Sequence, residues 1–256
     1  MIKQDQPNQF DSSIIAAVSS AQDGQMQHGW NETEDEVNLN RQAFLSKVGL
    51  KVARIVFLRV RYVQGASYDI IKDVDNSQAG YGMTKLEGEA TDCLVTNTPG
   101  LGLFLPVADC GATIVHDEVK QVLALAHLGR HSTAAHLASK LVSHLKEKHN
   151  SNPKDLKVWI SPSIKATSYI MKTVDFTGSD KRWENFCQKV DGGFSVDVQG
   201  FNKSLFIESG VNKNNIFISP VNTATDENYW SHFTQVTINN KPAPPRFAVV
   251  AALNTV

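Results

Sequence analysis

The stretch from Asp92 to His127 constrains this chain most. It holds four short runs, TDCLVT, LGLFLPV, ATIVH and VLALAH, with almost no polar side chain inside them. A strand that is apolar on both faces has to be covered on both faces. The links NTPG and DEVKQ are too short for helical crossovers, so neighbouring runs are expected as hairpin-like pairs. A second layer of structure must then come from the rest of the chain.

The spacing elsewhere predicts that layer. Residues 39–49, LNRQAFLSKVG, read as a helix with Ala43, Leu45 and Val48 as its apolar stripe and Gly49 as its stop. Residues 52–63, VARIVFLRVRYV, are β-branched and aromatic and read as a strand. Residues 76–89 carry three glycines and read as a loop. Residues 132–149 read as one amphipathic helix, capped by Ser132 or Thr133. Leu137, Leu141 and Leu145 share one face of it, and His136, Lys140 and His144 another. LKVWIS, NIFISP and RFAVVAAL read as further strands, and residues 199–209 as a helix that follows Asp197 and ends at Gly210. Strand pairs with a few helices make an α+β, or mixed α/β, fold rather than a strict βαβ repeat. We expect one domain over residues 1–256, with residues 1–12 as a loose polar end.

Composition narrows the classes of function. Hydrophobic residues make up 41% and charged residues 20% of 256, an ordinary globular balance. A formal net charge of -1 offers no electrostatic footprint for nucleic acid or an anionic membrane. No apolar run is long enough to span a bilayer, and the start MIKQDQPNQFDSS lacks a signal core. Three cysteines with no CxxC spacing argue against a disulfide framework and for reduced thiols in a cytoplasm.

Two residues stand out chemically. Cys110 follows one apolar run and His127 ends another, and strand ends are where a rigid scaffold presents reactive groups. A thiol beside an imidazole is an activated nucleophile, half of a zinc or copper site, or a buried thiol next to a hydrogen-bonded histidine. Arg130 lies at the expected start of the 132–149 helix, where unpaired N–H groups, Ser132 and Thr133 would help it hold an anion such as phosphate. His136, His144 and His149 are expected as solvated helix positions, His116 as a turn residue, and His232, in YWSHF, as core or pocket.

From Asp92 to Thr133 the chain reads DCLVTNTPGLGLFLPVADCGATIVHDEVKQVLALAHLGRHST. This resembles the central motif of the YfiH-like family, also called the polyphenol oxidase or laccase-domain family. Its pattern is a DALVT strand, a Pro-Gly turn, an apolar strand ending in ADC, a hairpin, and HAGWRGT. NRQAFLSKVGL, WISPSI and FIESGVNKNNIFIS resemble flanking family segments. The resemblance implies a single α/β domain with mixed sheets, and a centre of one cysteine and two histidines able to bind zinc or copper. It also implies phosphorolysis of purine nucleosides (adenosine, inosine or methylthioadenosine), with adenosine deamination as a second activity. Cys110 and His127 match the family's cysteine and second histidine, and Asp109 and Arg130 fall beside them. The first histidine, in the family's QVHG, has no counterpart: Tyr62 or Gln64 stands near its place. His131, His232 or no residue at all is left as third ligand, and we take Cys110, His127 and His131 as the expected set. With eight histidines and no HxH pair, the chain suits a single ion rather than a four-copper relay. A cysteine hydrolase built on Cys110 and His127, and a nucleoside-binding protein without turnover, are the alternatives.

Overall fold

The structure is a computed structural model that describes residues 1–29, 32–62, 66–85, 87–174 and 180–255. In chain order its elements begin with β1 (Ile14–Val18), α1 (Glu34–Lys47), β2 (Ile55–Phe57) and β3 (Ile71–Asp73). The apolar stretch supplies β4 (Cys93–Thr96), β5 (Gly102–Val107), β6 (Gly111–Asp117) and β7 (Val122–Leu128). Then come α2 (Arg130–Ala134), α3 (Leu137–His149), β8 (Leu156–Ile160), β9 (Ile170–Met171) and α4 (Lys181–Glu184). The chain closes with β10 (Cys187–Val190), β11 (Gly193–Val196), α5 (Val198–Glu208), β12 (Ile216–Ile218) and β13 (Phe247–Leu253).

Two sheets stack on each other. One runs β1-β13-β5-β2 and the other β12-β8-β6-β7-β4-β3, and a small β10-β11-β9 sheet stands beside them. The period of two along a strand sorts the side chains. On β7, Leu123 and Leu125 face the opposing sheet and meet Leu103, Leu105 and Val249 there. Val122, Ala124, Ala126 and Leu128 face away and are covered by Leu137, Leu141 and Leu145 of α3 and by Phe201 and Leu205 of α5. The outer face of the four-stranded sheet, with Phe104 and Val250, is covered by Phe44 and Leu45 of α1. Helix, sheet, sheet, helix is the layering the doubly apolar strands require, and the fold is α+β as expected.

Several expectations need correction. β4 and β5 do not pair: β4 joins the six-stranded sheet and β5 the other. The helix expected at 39–49 starts at Glu34, because Thr33 and Glu36 form a reciprocal capping box. Its buried face is Val37, Arg41, Phe44 and Leu45 rather than Ala43, Leu45 and Val48. Arg41 is fully buried and donates to the carbonyls of Met26 and Met83. The strand expected over 52–63 is only Ile55–Phe57, although Leu58 still donates to the Phe104 carbonyl at 2.8 Å. The helix expected over 132–149 is broken. His136 takes a left-handed conformation (φ 58) and separates α2 from α3. Strand β1, the small sheet and a π-helical turn over Phe233–Ile238 had no expectation. His116 sits inside β6 with no exposed surface, not in a turn. The N-terminal residues make specific contacts: the terminal amine meets Asp23 at 2.6 Å and Asp5 accepts from Tyr229 at 2.8 Å. Among the described residues no helix is long and apolar enough to cross a membrane.

Candidate active site

Where the two sheets end, they enclose a cavity of about 1140 Å3. Alternation explains which side chains reach it. His127 follows Leu123 and Leu125 on the β7 face that looks across to the other sheet, and Ala112 of β6 is its register partner. Cys110, two residues before Ala112, lies on the same side and is partly buried against that inter-sheet core. From the other sheet, Val56, Leu58 and Val60 face the same layer. Tyr62 is the next residue of that parity.

These three groups meet. The Tyr62 hydroxyl lies 3.2 Å from His127 Nε2 and 3.8 Å from Cys110 Sγ. Gly129 makes the approach possible, since a Cβ there would sit 2.8 Å from Cys110 Sγ and 3.0 Å from the His127 ring. Asp109 precedes Cys110 with φ 79, a conformation that L-residues seldom adopt. Its buried carboxylate accepts from Thr223 Oγ1 at 2.6 Å, Ser231 Oγ at 3.1 Å and the Phe233 backbone N–H at 2.6 Å. Asp109 thus ties the Cys110 corner to the 223–233 loop, which places His232 and Phe233 in the cavity wall.

Electrostatics keeps the centre neutral. Burial, reinforced by the charge of Arg246, lowers the His127 imidazole to a pKa of about 3. Its Nδ1 is buried without a hydrogen-bond partner. Burial raises the Cys110 thiol above its ordinary value, against the opposing pull of Tyr62, Arg246 and Arg130. Burial of the hydroxyl end raises Tyr62 well above the usual phenol range, although 58% of the residue, on its outer flank, is exposed. An activated cysteine nucleophile needs a lowered thiol pKa, so this arrangement weighs against the hydrolase alternative.

The other expected site residues separate into two groups. Arg130, His131 and His232 line the cavity. Ser132 and Thr133 do not, because their hydroxyls are engaged elsewhere. Ser132 Oγ accepts from the Gly129 N–H at 3.0 Å and donates to the His127 carbonyl at 2.6 Å. Thr133 Oγ1 accepts from Asn202 at 2.8 Å. Since the helix breaks at His136, α2 is a single turn with Gly129 as its N-cap, not the long dipole an anion site there would use. Gln64 lies outside the described residues. Sequence reasoning missed Arg246, which lines the cavity from the start of β13, and Gly129, whose signal was its place between two candidate reactive groups.

The donor set falls short of a zinc or copper site of the expected kind. Cys110 and His127 converge, but His131 stacks on Tyr68 with ring centroids 4.7 Å apart and holds its Nε2 3.3 Å from the Arg130 guanidinium. Cys110, His127 and His131 do not bring their donor atoms within 4.8 Å of one another. The third group present is Tyr62, a phenol that keeps its proton. A three-ligand site needs three groups able to donate an electron pair. Among the described residues the only such cluster is Asp73, His144 and His149.

Over residues 16–238 the chain matches the family described as multi-copper polyphenol oxidoreductase laccase. It is 27% identical over 149 residues to the purine nucleoside phosphorylase YlmD of Bacillus subtilis, covering 56% of this chain and 54% of that protein. It is 29% identical over 110 residues to a purine nucleoside phosphorylase of Clostridium acetobutylicum, covering 43% of each. The matched part spans about half the length of these relatives. Among solved structures, Bacillus licheniformis YfiH superposes with a TM-score of 0.82 at 20% identity over 94% of this chain and 93% of that one. YlmD of Geobacillus stearothermophilus gives 0.80 at 20% identity over 95% and 93%. These structures share the fold.

Proposed function

The chain belongs to the multi-copper polyphenol oxidoreductase laccase family, the YfiH-like family of its central motif, and from that membership we propose that it is a purine nucleoside phosphorylase-like enzyme. The observation that carries the reading is the meeting of Cys110, His127 and Tyr62 at one end of a cavity that also holds Arg130 and Arg246. The names of the curated relatives support it.

In this reading a phosphate oxygen attacks C1′ of the ribose. The C1′–N9 bond breaks with its electron pair moving to the purine, and the base leaves as it gains a proton, giving ribose 1-phosphate and free base. Such a reaction needs positive charge for phosphate and a neutral donor for the departing base. Arg130 and Arg246 bring the charge. Tyr62 and Cys110 keep their protons at neutral pH and are the donors, while His127, neutral and hydrogen-bonded to Tyr62, orients them. Tyr169 and Phe233, packed edge to face on each other, give the cavity an aromatic wall against which a purine could lie. No step is assigned to zinc or copper.

The test is phosphate-dependent base release from adenosine, inosine and methylthioadenosine by wild type and Cys110→Ala, with inosine formation followed in parallel to detect deamination. We expect base release that requires phosphate and falls about 1000-fold in the variant. Release unchanged in Cys110→Ala and Arg130→Ala would sink these assignments. A phenol in place of the family's first histidine favours a second reading, a nucleoside-binding protein without turnover. Calorimetry showing nucleoside binding with no release of base would establish that reading instead.

A further inference from the structure

Away from the cavity, the edge strand β3 touches the last turns of α3 through an unusual set of groups. Asp73 ends β3, and its two carboxylate oxygens diverge toward two imidazoles. His144 Nε2 lies 2.9 Å from Oδ2 and His149 Nε2 lies 2.7 Å from Oδ1. The two imidazole rings have centroids 5.8 Å apart, and the three donor atoms all fall within 4.8 Å of one another. Neither histidine is the solvated helix position expected of it. Their side chains are only 17% and 13% exposed, and Asp73 is 48% exposed.

We propose that Asp73, His144 and His149 form a binding site for one zinc-like divalent cation, separate from the Cys110 centre. Two imidazoles and one carboxylate are a recurrent three-ligand set for zinc, with a water as fourth ligand. Bond lengths near 2.0–2.2 Å at tetrahedral angles place donor atoms about 3.3 Å apart, so each nitrogen–oxygen separation would widen by about half an ångström, with the two imidazole nitrogens already within 4.8 Å of each other. An independent sign is the state of His144 Nε2. It is buried and makes no hydrogen bond of acceptable geometry, although a carboxylate oxygen lies beside it. That ring nitrogen is thus left with an unmet bonding capacity inside the cluster. The C-terminus of α3 adds partial negative charge, and the left-handed Asn150 ends the helix directly after His149. Lys140 of the same helix pairs with Asp69, just before β3, so an ion here would fasten the outgoing end of the segment that carries Tyr62 and Tyr68.

The test is zinc titration of chelator-treated, dialysed full-length protein against a chromophoric competitor, with cobalt as spectroscopic probe. We expect wild type to bind zinc with a matching rise in Tm. His149→Ala and Asp73→Asn should weaken binding roughly tenfold or more, the loss typical of even an outer partner of a ligand, and should abolish the Tm rise. Cys110→Ala should retain both. Cobalt should give a tetrahedral spectrum without a thiolate charge-transfer band. Zinc affinity unchanged in His149→Ala and Asp73→Asn would overturn the proposal, as would loss of binding in Cys110→Ala alone. Equal metal-free Tm values in wild type and Asp73→Asn establish that any loss is of a ligand rather than of the fold.

Discussion

The two sides of the cavity are built differently. Cys110 and His127 rise from β6 and β7, long paired strands with every residue buried. Tyr62 and Tyr68 come from the segment between β2 and β3, which leaves the four-stranded sheet after Phe57 and joins the six-stranded one at Ile71. One side is fixed by ladder bonds and by Asp109. The other is placed by side-chain contacts: the Tyr62 hydroxyl on His127 and the Tyr68 ring on His131. A centre made of one rigid wall and one laid-on strap should fail in two distinguishable ways, globally when the wall is damaged and locally when the strap is.

The largest effect should come from Asp109→Ala. Three donors, from Thr223, Ser231 and Phe233, lose their common acceptor, and leaving buried donors unsatisfied costs about 1–3 kcal/mol each. We expect a loss of about 3 kcal/mol or more in urea unfolding, together with loss of activity. Gly129→Ala comes next. Its Cβ would press on Cys110 and His127, and overpacking a rigid wall costs about 1–3 kcal/mol, seen as a lower Tm. On the strap, Tyr62→Phe should leave Tm nearly unchanged and lower kcat/KM about tenfold, the loss of one hydrogen bond in the reacting geometry. A fall in Tm as large as that of Gly129→Ala would erase the distinction between the two sides. Tyr62→His sharpens it from the other direction, because it replaces the phenol with an imidazole beside Cys110 and His127. Zinc stoichiometry should rise by one equivalent over the wild-type value.

The last effect is graded with pH, absent at neutrality and growing toward the acid end of its window. The His127 pKa is lowered to about 3 in the fold against about 6.5 in an unfolded chain. Between these values the unfolded state binds the extra proton, so stability is complete above about 6.5 and declines as pH falls toward 3, by at most about 1.4 kcal/mol per pH unit. In His127→Gln that part of the slope should vanish, measured as urea midpoints across the window.

The same contrast explains what could be read from the chain before its structure. Cys110 and His127 were legible because they punctuate strands whose apolar runs are unbroken, and the α+β class followed from strands that needed two covers. Tyr62 was one of two residues placed near the missing histidine, and Val56, Leu58, Val60 and Tyr62 keep one parity even where the ladder has stopped. The start of α1 was written in Thr33 and Glu36. The break at His136 was not legible, because neither glycine nor proline marks it and the leucine spacing continues on its far side. Arg246 reaches the cavity only because β13 returns beside β5, a pairing that composition does not encode. The phosphate role expected of Ser132 and Thr133 depended on a long helix beginning at that point, and it ended with the break.

The position of β13 bears on how the molecule is made. This strand, from the last residues of the chain, lies between β1 and β5, and Ile14 pairs with Leu253. During synthesis β1 therefore leaves the ribosome long before β13, its partner in the sheet, and waits for the whole stretch between Val18 and Phe247 to follow. An apolar strand, IIAAV, must wait unpaired until β13 is made, with the exposure to misassociation that such a wait brings. The sheet that carries one wall of the cavity closes only when β13 enters between β1 and β5.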